Sequence, residues 1–413
     1  MGFQLNLPFF IARRYLLKQK GTFSAFIIRL AIIATSLSVA VMIIAIATVN
    51  GFKHTIKEKM YSMLGHIHIE LFDANHAQSV NYTPVKWDEH LINQVKQIPH
   101  VQQVSVFADK QAIIRAHGQM DGLELKGVNS AHQYSKDITF TGSKIDYSDS
   151  AYSKQIIVSQ TTANRLNINI GDTIQLIFPD PIINSIRIRK VQVAGFYHTG
   201  VEEVDKVYAM CDIRLIQRIN NWDANDINGY QVQLDDSKYA DTVSATIFNQ
   251  YLNAPLTSYT IGEIFSNVFD WLALIDVNGH IILAIMAIVA IINLGAALMI
   301  LIVDQSRMVG MMKALGMEPG KLRQVFLYYS GLIAGAGILF GNIFGVGLCL
   351  IQLKTGIITL PEDTYYMKYA PIYFNWTEVV AIDIVTLILC ILCMWLPTLY
   401  IRFIQPAKVL QFK

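Results

Sequence analysis

The sequence predicts an α+β membrane protein: four transmembrane helices, with one large α+β domain outside the bilayer inserted between helices 1 and 2. Three observations lead there. Of 413 residues, 53% are hydrophobic and only 15% charged, whereas soluble domains carry about 25% charged residues. Four runs approach the roughly 20 apolar residues that span a bilayer as a helix: Leu30 to Val49, Ile281 to Val303, Val325 to Leu353 and Ile384 to Ile401. Between the first two runs, Gly51 to about Ile275 is long enough to fold around a core of its own.

The chain opens with PFFIARRYLLKQK (8–20), aromatic and aliphatic residues set among basic ones. This reads as an amphipathic helix lying on a membrane surface; the alternative is a solvated lead-in to the first span. The first run is longer, and starts later, than the roughly 7–15-residue apolar core of a cleaved signal, so an uncleaved anchor is expected. Arg13, Arg14, Lys18, Lys20 and Arg29 precede it with no acid among them. The segment after the second run adds Arg307, Lys313, Lys321 and Arg323 against Asp304 and Glu318. Basic residues stay on the cytoplasmic side. Both termini and this segment are therefore expected inside, and 51–275 and the loop 354–376 outside.

In the outer stretch, HIHIELF (66–72) and KVQVAGF (190–196) alternate with the period of a strand. WDEHLINQVKQI (87–98) has helical spacing. QTTANRLNINIGD (160–172) reads as a helix and turn, followed by the strand TIQLIF (173–178). FPDPIINSIRIRK (178–190) places two prolines between strands, which points to a protruding hairpin.

Candidate chemistry is sparse. GMEPGK (316–321) has three residues between its glycines where a phosphate-binding loop needs four, and Leu322 stands where a hydroxyl must be. It reads instead as the turn ending a short helix. His66 and His68 share a strand face, but two ligands do not make a metal site, so exposed strand histidines are expected. Cys390 and Cys393 lie inside a span, where thiolate chemistry is costly; Cys211 alone lies outside the apolar runs, so there is no disulfide framework. Gly337, Gly341 and Gly345 are spaced four apart and leave one helix face nearly bare, as close helix packing requires. Asn293 and Asn342 read as hydrogen-bonding between helices. Asp383 stands either as a functional intramembrane carboxylate or, with Asn375 and Glu378 just before it, at the outer interface. No nucleophile–base pair or metal-ligand spacing emerges, and the net charge of +2 argues against nucleic acid as a partner.

Several blocks, in order, resemble the FtsX/MacB superfamily of ABC-transporter permeases, closest to its lipoprotein-releasing LolC/LolE type. They are ARRYL (12–16), VNGFKHTIKEKMYSMLGHIHI (49–69), VAGFYHTGVEEVDKVYAMCDI (193–213), NGYQVQLDD (228–236), NLGAALMILIVDQSRMVGMMKALGMEPGKLRQVF (293–326), YYMKYAPIYFNWTEV (365–379) and QPAKVLQF (405–412). The resemblance implies a type VII ABC permease in a bacterial inner membrane. Its parts would be 1–50 (surface helix and first span), 51–274 (periplasmic MacB-like core domain) and 275–413 (FtsX-like permease domain with a cytoplasmic coupling helix, 307–316).

It further implies a second permease subunit, homo- or heterodimeric, and two copies of an ATPase that hold the ATP and Mg. No cofactor or catalysis would reside in this chain. A triacylated lipoprotein would be moved from the outer leaflet to a periplasmic carrier by mechanotransmission. Arg307, Met308, Met311, Met312, Lys313, Leu315 and Gly316 map to the ATPase contact, with the methionines and Leu315 as its apolar face. Val49, Tyr365, Tyr366 and Ala370 map to lipid contacts, and Phe178, Pro179, Pro181, Ile182 and Ile183 to the carrier-binding hairpin. Two other readings stay open: a MacB-like efflux permease, and an FtsX-like subunit controlling a cell-wall hydrolase.

Overall fold

The computed structural model describes residues 7–18, 23–72, 83–130, 132, 138–149, 151–180, 185–361, 367, 369–399 and 401. Helix α1 (Leu7–Lys18) precedes α2 (Phe23–Leu64), which continues well past the first apolar run. Then follow β1 (Ile67–Leu71), β2 (Val85–Lys86), α3 (Glu89–Lys96), β3 (Val101–Ala116), β4 (Gln119–Val128), β5 (Thr139–Gly142), β6 (Gln155–Ser159) and α4 (Gln160–Leu166). Next come β7 (Thr173–Asp180), β8 (Ser185–His198), α5 (Glu202–Asp205), β9 (Tyr208–Asp212), α6 (Ile213–Asn220), β10 (Asp226–Ile227), β11 (Gly229–Leu234), α7 (Ala240–Tyr251), β12 (Leu256–Thr260) and α8 (Ile261–Ile264). The chain ends with α9 (Ser266–Asp304), α10 (Ser306–Ala314), α11 (Pro319–Thr355), α12 (Trp376–Cys393) and α13 (Trp395–Leu399). Two compact units result: Met1–Lys53, Leu272–Thr359 and Tyr369–Lys413 form one, and His54–Trp271 with Leu360–Lys368 the other.

In the first unit four helical stretches are long and apolar enough to cross a membrane: Phe23–Leu64, Ser266–Asp304, Pro319–Thr355 and Trp376–Leu399. Helices α2 and α11 pack closely. A Cβ on Gly337 would lie 2.7 Å from Cβ of Thr35, one on Gly341 2.7 Å from Cβ of Val39, and one on Gly345 3.1 Å from the Ala40 backbone. Side chains there would hold the helices apart, so the bare face lets the backbones close. One apolar cluster joins Ile28 and Ala31 of α2 to Leu294 and Leu298 of α9, Phe326 and Ile333 of α11 and Cys390 of α12. Cys390 is thus a packing residue. Helix α1 lies against α11, with Ala12 buried in the same cluster and the Phe9 ring edge-on to Tyr328 at 5.7 Å.

The fourth span corrects the sequence reading. It starts at Trp376, where the Asn375 side chain caps the first turn, not at Ile384. Asp383 therefore lies two turns inside the helix. Its two carboxylate oxygens each accept from Nδ2 of Asn342 on α11 at 2.9 Å, and the same nitrogen donates to the Ile338 carbonyl at 3.0 Å. A hydropathy run breaks at a carboxylate because its partner on another helix is invisible in sequence. Asn293, in contrast, is exposed on α9 and bonds no other helix among the described residues.

The second unit is built on a mixed sheet. Among the described residues its strands run β12-β1-β11-β3-β4-β9-β6-β8-β5, with β7 beside both β3 and β8. Pairs β4/β9 and β6/β8 are parallel and the others antiparallel. One face, including Ile67, Ile69, Ile114, Leu125 and Val232, packs with Leu91 and Val95 of α3, Leu215 and Ile216 of α6 and Val243 and Ile247 of α7. The alternating segments became strands because alternation delivers every second side chain to that core.

The opposite face corrects the expectation for the histidines, which are buried. The last turn of α2 covers them: Tyr61 stacks on the His66 ring at 4.2 Å, and His68 Nε2 lies 2.7 Å from the Leu64 carbonyl. His66 Nδ1 accepts from the Leu234 amide at 3.2 Å, which places its proton on Nε2. Lys126, also buried, donates to the Met63 carbonyl at 2.8 Å and to Gln231 at 2.6 Å. A cation at a helix C-terminus meets the negative end of the helix dipole. The sequence hides this arrangement because the apolar run ends at Val49, fifteen residues before the helix does.

Two tests follow from this packing. Gly341→Val should cost about 1–3 kcal/mol through overpacking, seen as a lower thermal midpoint of the purified chain. Gly335→Ala, whose Cβ meets nothing within 4 Å, should not lower the midpoint, since alanine favours the helix over glycine. Burial also pushes the His66 imidazole down to about 4, from an ordinary value of 6.5. The unfolded chain takes up a proton below pH 6.5 that the folded chain refuses until about pH 4, so stability falls through that window. His66→Asn should flatten the fall of the thermal midpoint between pH 7 and pH 4.5.

Candidate functional site

Two surfaces of the membrane unit and one of the outer domain carry the residues singled out from the sequence. The first is α10, between α9 and α11. Its end is a Schellman turn: the Gly316 amide donates to the Lys313 carbonyl at 3.1 Å and the Met317 amide to the Met312 carbonyl at 3.0 Å. Gly316 supplies the φ of +84° that such a turn needs, and Pro319 opens α11 at a position where its missing N–H is harmless. GMEPGK is therefore a helix stop and a helix start.

Of the seven coupling candidates, Gly316 forms the turn and the other six divide between two faces. Met308 and Met312 turn inward and pack on the apolar cluster beside buried Val309. Lys313 also turns back, donating from Nζ to the Ile401 carbonyl at 2.7 Å. Arg307, Met311 (52% exposed), Ala314 and Leu315 (87% exposed) point away from the bundle. The expectation that the three methionines and Leu315 share one docking face is corrected: spacings of four, seven and eight from Arg307 define the outward face, and the unit's own core claims the rest. Arg323 of α11 braces the neighbouring end of the bundle, with Nε on Thr398 Oγ1 at 3.0 Å and its guanidinium 4.5 Å from the Trp395 ring centre.

The second surface is the opposite end of the spans. Val49 packs over Gly279 of α9. Nearby, Lys53 pairs with Asp276, the Asn50 amide donates to Glu378, and the Tyr373 amide donates to the Ala47 carbonyl at 3.0 Å. One buried side chain holds the described segments on either side of the loop after α11 together. Gln352 Nε2 donates to the carbonyls of Ile358 (3.1 Å) and Ala370 (3.2 Å), and its Oε1 accepts from the Ile358 amide at 2.9 Å. The Ala370 amide closes the loop onto the Ile358 carbonyl at 3.0 Å. Val49 and Ala370 lie on segments that meet where Gly51 abuts Pro371. Tyr369, Tyr373 and Trp376 are exposed around them, as interfacial aromatics are. Tyr365 and Tyr366 lie outside the described residues. Sequence reading passed over Gln352, since a glutamine at the end of a span looks like any interfacial polar residue.

The third surface is the β7/β8 hairpin. Phe178 pairs with Arg187, and Pro179 with Ile186. Phe178 is only 2% exposed, within the domain core, so its assignment to a binding surface is corrected: strand alternation turns it inward. The outward face shows Pro179, Ile186 (67% exposed) and Ile188. Pro181, Ile182 and Ile183 lie outside the described residues.

Behind the hairpin, Asp205 fixes the loop after β8. Its carboxylate accepts from the Thr199 amide (3.1 Å), the Thr199 hydroxyl (2.7 Å) and the Gly200 amide (3.0 Å). Among the described residues no group of three or more His, Cys, Asp or Glu could hold a metal.

Comparison with known proteins gives a consistent picture. The MacB-like periplasmic core domain family matches residues 30–248, and the FtsX-like permease C-terminal family matches residues 280–406. The lipoprotein-releasing system transmembrane protein LolE of Haemophilus influenzae is 24% identical over 423 residues, covering 98% of this chain and 99% of that protein. LolC of Xylella fastidiosa is 22% identical over 418 residues, covering 98% of each. The solved periplasmic region of MacB from Actinobacillus actinomycetemcomitans is 11% identical, covers 50% of this chain and 95% of that one, and has a TM-score of 0.34.

Gln352→Leu should release the loop carbonyls without unfolding the bundle. Hydrogen exchange at the Ile358 and Ala370 amides should quicken at least tenfold, with the amides of α2 unchanged; equal protection in the variant would show that Gln352 does not hold the loop.

Proposed function

This chain belongs to the family that carries a MacB-like periplasmic core domain, here joined to an FtsX-like permease region, and from that premise we propose that it is the membrane subunit of an ABC transporter that releases lipoproteins. Full-length similarity to lipoprotein-releasing transmembrane proteins supports this substrate class. In this reading the chain sits in a bacterial inner membrane with both termini in the cytoplasm and the sheet domain in the periplasm, consistent with the basic residues preceding its first span. It binds no nucleotide itself. A partner ATPase, in two copies, holds ATP and Mg, and a second permease subunit completes the assembly.

The observation that carries the energy coupling is the outward face of α10. Arg307, Met311, Ala314 and Leu315 form an adaptable apolar patch with one fixed charge, suited to a groove on another protein. A push on that patch reaches the bundle through Met308, Val309 and Met312, which are packed into its core. Movement of the spans then works on a lipid-bearing substrate at their other end, near Val49 and Ala370. From there the released lipoprotein passes to a periplasmic carrier, for which the exposed edge of the hairpin, Pro179 with Ile186 and Ile188, is the docking candidate. The chemistry needed from this chain is mechanical: apolar contact, transmitted displacement and exclusion of water from acyl chains.

The pair Met311→Glu with Leu315→Glu should abolish copurification of the ATPase while the chain still inserts and folds, because both residues point outward. Undiminished ATPase recovery would refute the coupling role. Depletion of the chain in cells should leave outer-membrane lipoproteins in the inner membrane fraction; normal sorting would refute the substrate class.

A further inference from the structure

A slot runs along one flank of the α2/α11 crossing. Its floor is Ser36 and Ala40, small residues beside the glycine contact. Its walls are long: Leu37 on α2, and Phe344 and Leu348 on α11, all exposed. Apart from Ser36 in the floor the lining is apolar, and Arg29 closes one end. Arg29 is exposed and has no ion-pair or hydrogen-bond partner among the described residues. The sequence before it contributes four more basic residues and no acid.

The slot's length and charge point to its occupant. From Arg29 to Ile44 the helix rises about 22 Å, enough to seat an extended acyl chain, and the cavity along it is about 660 Å³ and lined by apolar side chains. At its end the unmatched charge of Arg29 calls for an anion. A molecule that is apolar along its length and anionic at one end matches both, whereas the corresponding segment of a second copy is basic and offers no anion.

We propose that an anionic phospholipid from the leaflet at the Arg29 end binds this slot, its phosphate on the Arg29 guanidinium and one acyl chain along Ser36, Ala40 and the Phe344 wall. Guanidinium and phosphate match in geometry as well as charge, and basic pockets between spans on the cytoplasmic side are suited to such headgroups. The site differs from the proposed substrate contacts, which lie at the other end of the spans. A lipid wedged beside the glycine contact fills the flank that the close approach of α2 and α11 leaves open.

The test is native mass spectrometry of the purified full-length chain with added dioleoylphosphatidylglycerol or dioleoylphosphatidylcholine. Expected is one retained phosphatidylglycerol per chain, at least tenfold favoured over phosphatidylcholine. Arg29→Gln should reduce that preference to parity without shifting the delipidated chain's melting midpoint, and Arg29→Lys should restore part of it. Val41→Phe, which fills the slot from its wall, should reduce retention of both lipids. Equal retention of the two lipids by the unaltered chain, or unchanged selectivity in Arg29→Gln, would overturn the proposal. So would efficient Leu37→Cys to Leu37→Cys cross-linking in native membranes, which would mean that a second chain covers the slot.

Discussion

Backbone contact between α2 and α11 sets the geometry of the membrane unit. In lipid, two apolar helices gain little from hiding apolar surface from each other, because the surrounding chains are equally apolar; what holds them is close dispersion contact and the few hydrogen bonds they share. Gly337, Gly341 and Gly345 bring α11 onto Thr35, Val39 and Ala40. The Asn342–Asp383 pair then ties α12 to the same helix. With α11 fixed on both sides, the two ends of the bundle are defined: α10 at one, and the Gln352 contacts to Ile358 and Ala370 at the other.

Polar groups in this chain are placed where backbone would otherwise go unsatisfied. Gln352 takes both carbonyls and an amide of a loop that has no regular ladder. Lys126 and His68 meet the last carbonyls of α2. Asp205 gathers the amides after β8. Each is an answer to the cost of burying an unpaired donor or acceptor, and none involves reactive chemistry. That distribution is compatible with the mechanical role proposed above.

The architecture was legible because membrane spans and sheet strands announce themselves by period and length, and runs such as Leu30 to Val49 and HIHIELF need no tertiary context. What stayed hidden depended on partners distant in sequence. Asp383 looked like a boundary until Asn342 was found opposite it. His66 and His68 looked like surface residues because the helix that covers them continues beyond its apolar run. Met312 and Met311 are adjacent in sequence and chemically identical, yet one is core and the other surface; only the position of the cluster around Val309 separates them. Phe178 and Pro179 divide in the same way across a strand. Gln352 carried no signal at all, since its three partners are backbone groups.

The two faces of α10 answer to different physical demands. Met308, Val309 and Met312 are held by the fold, so change there is felt by every helix they touch. Arg307, Met311, Ala314 and Leu315 are held by whatever they meet outside. A duplicated copy of this chain could therefore acquire a new partner by altering four positions on one short helix, with its spans and sheet domain untouched. In the proposed coupling role, choice of partner and connection to the bundle are separable, because they lie on opposite sides of the same helix.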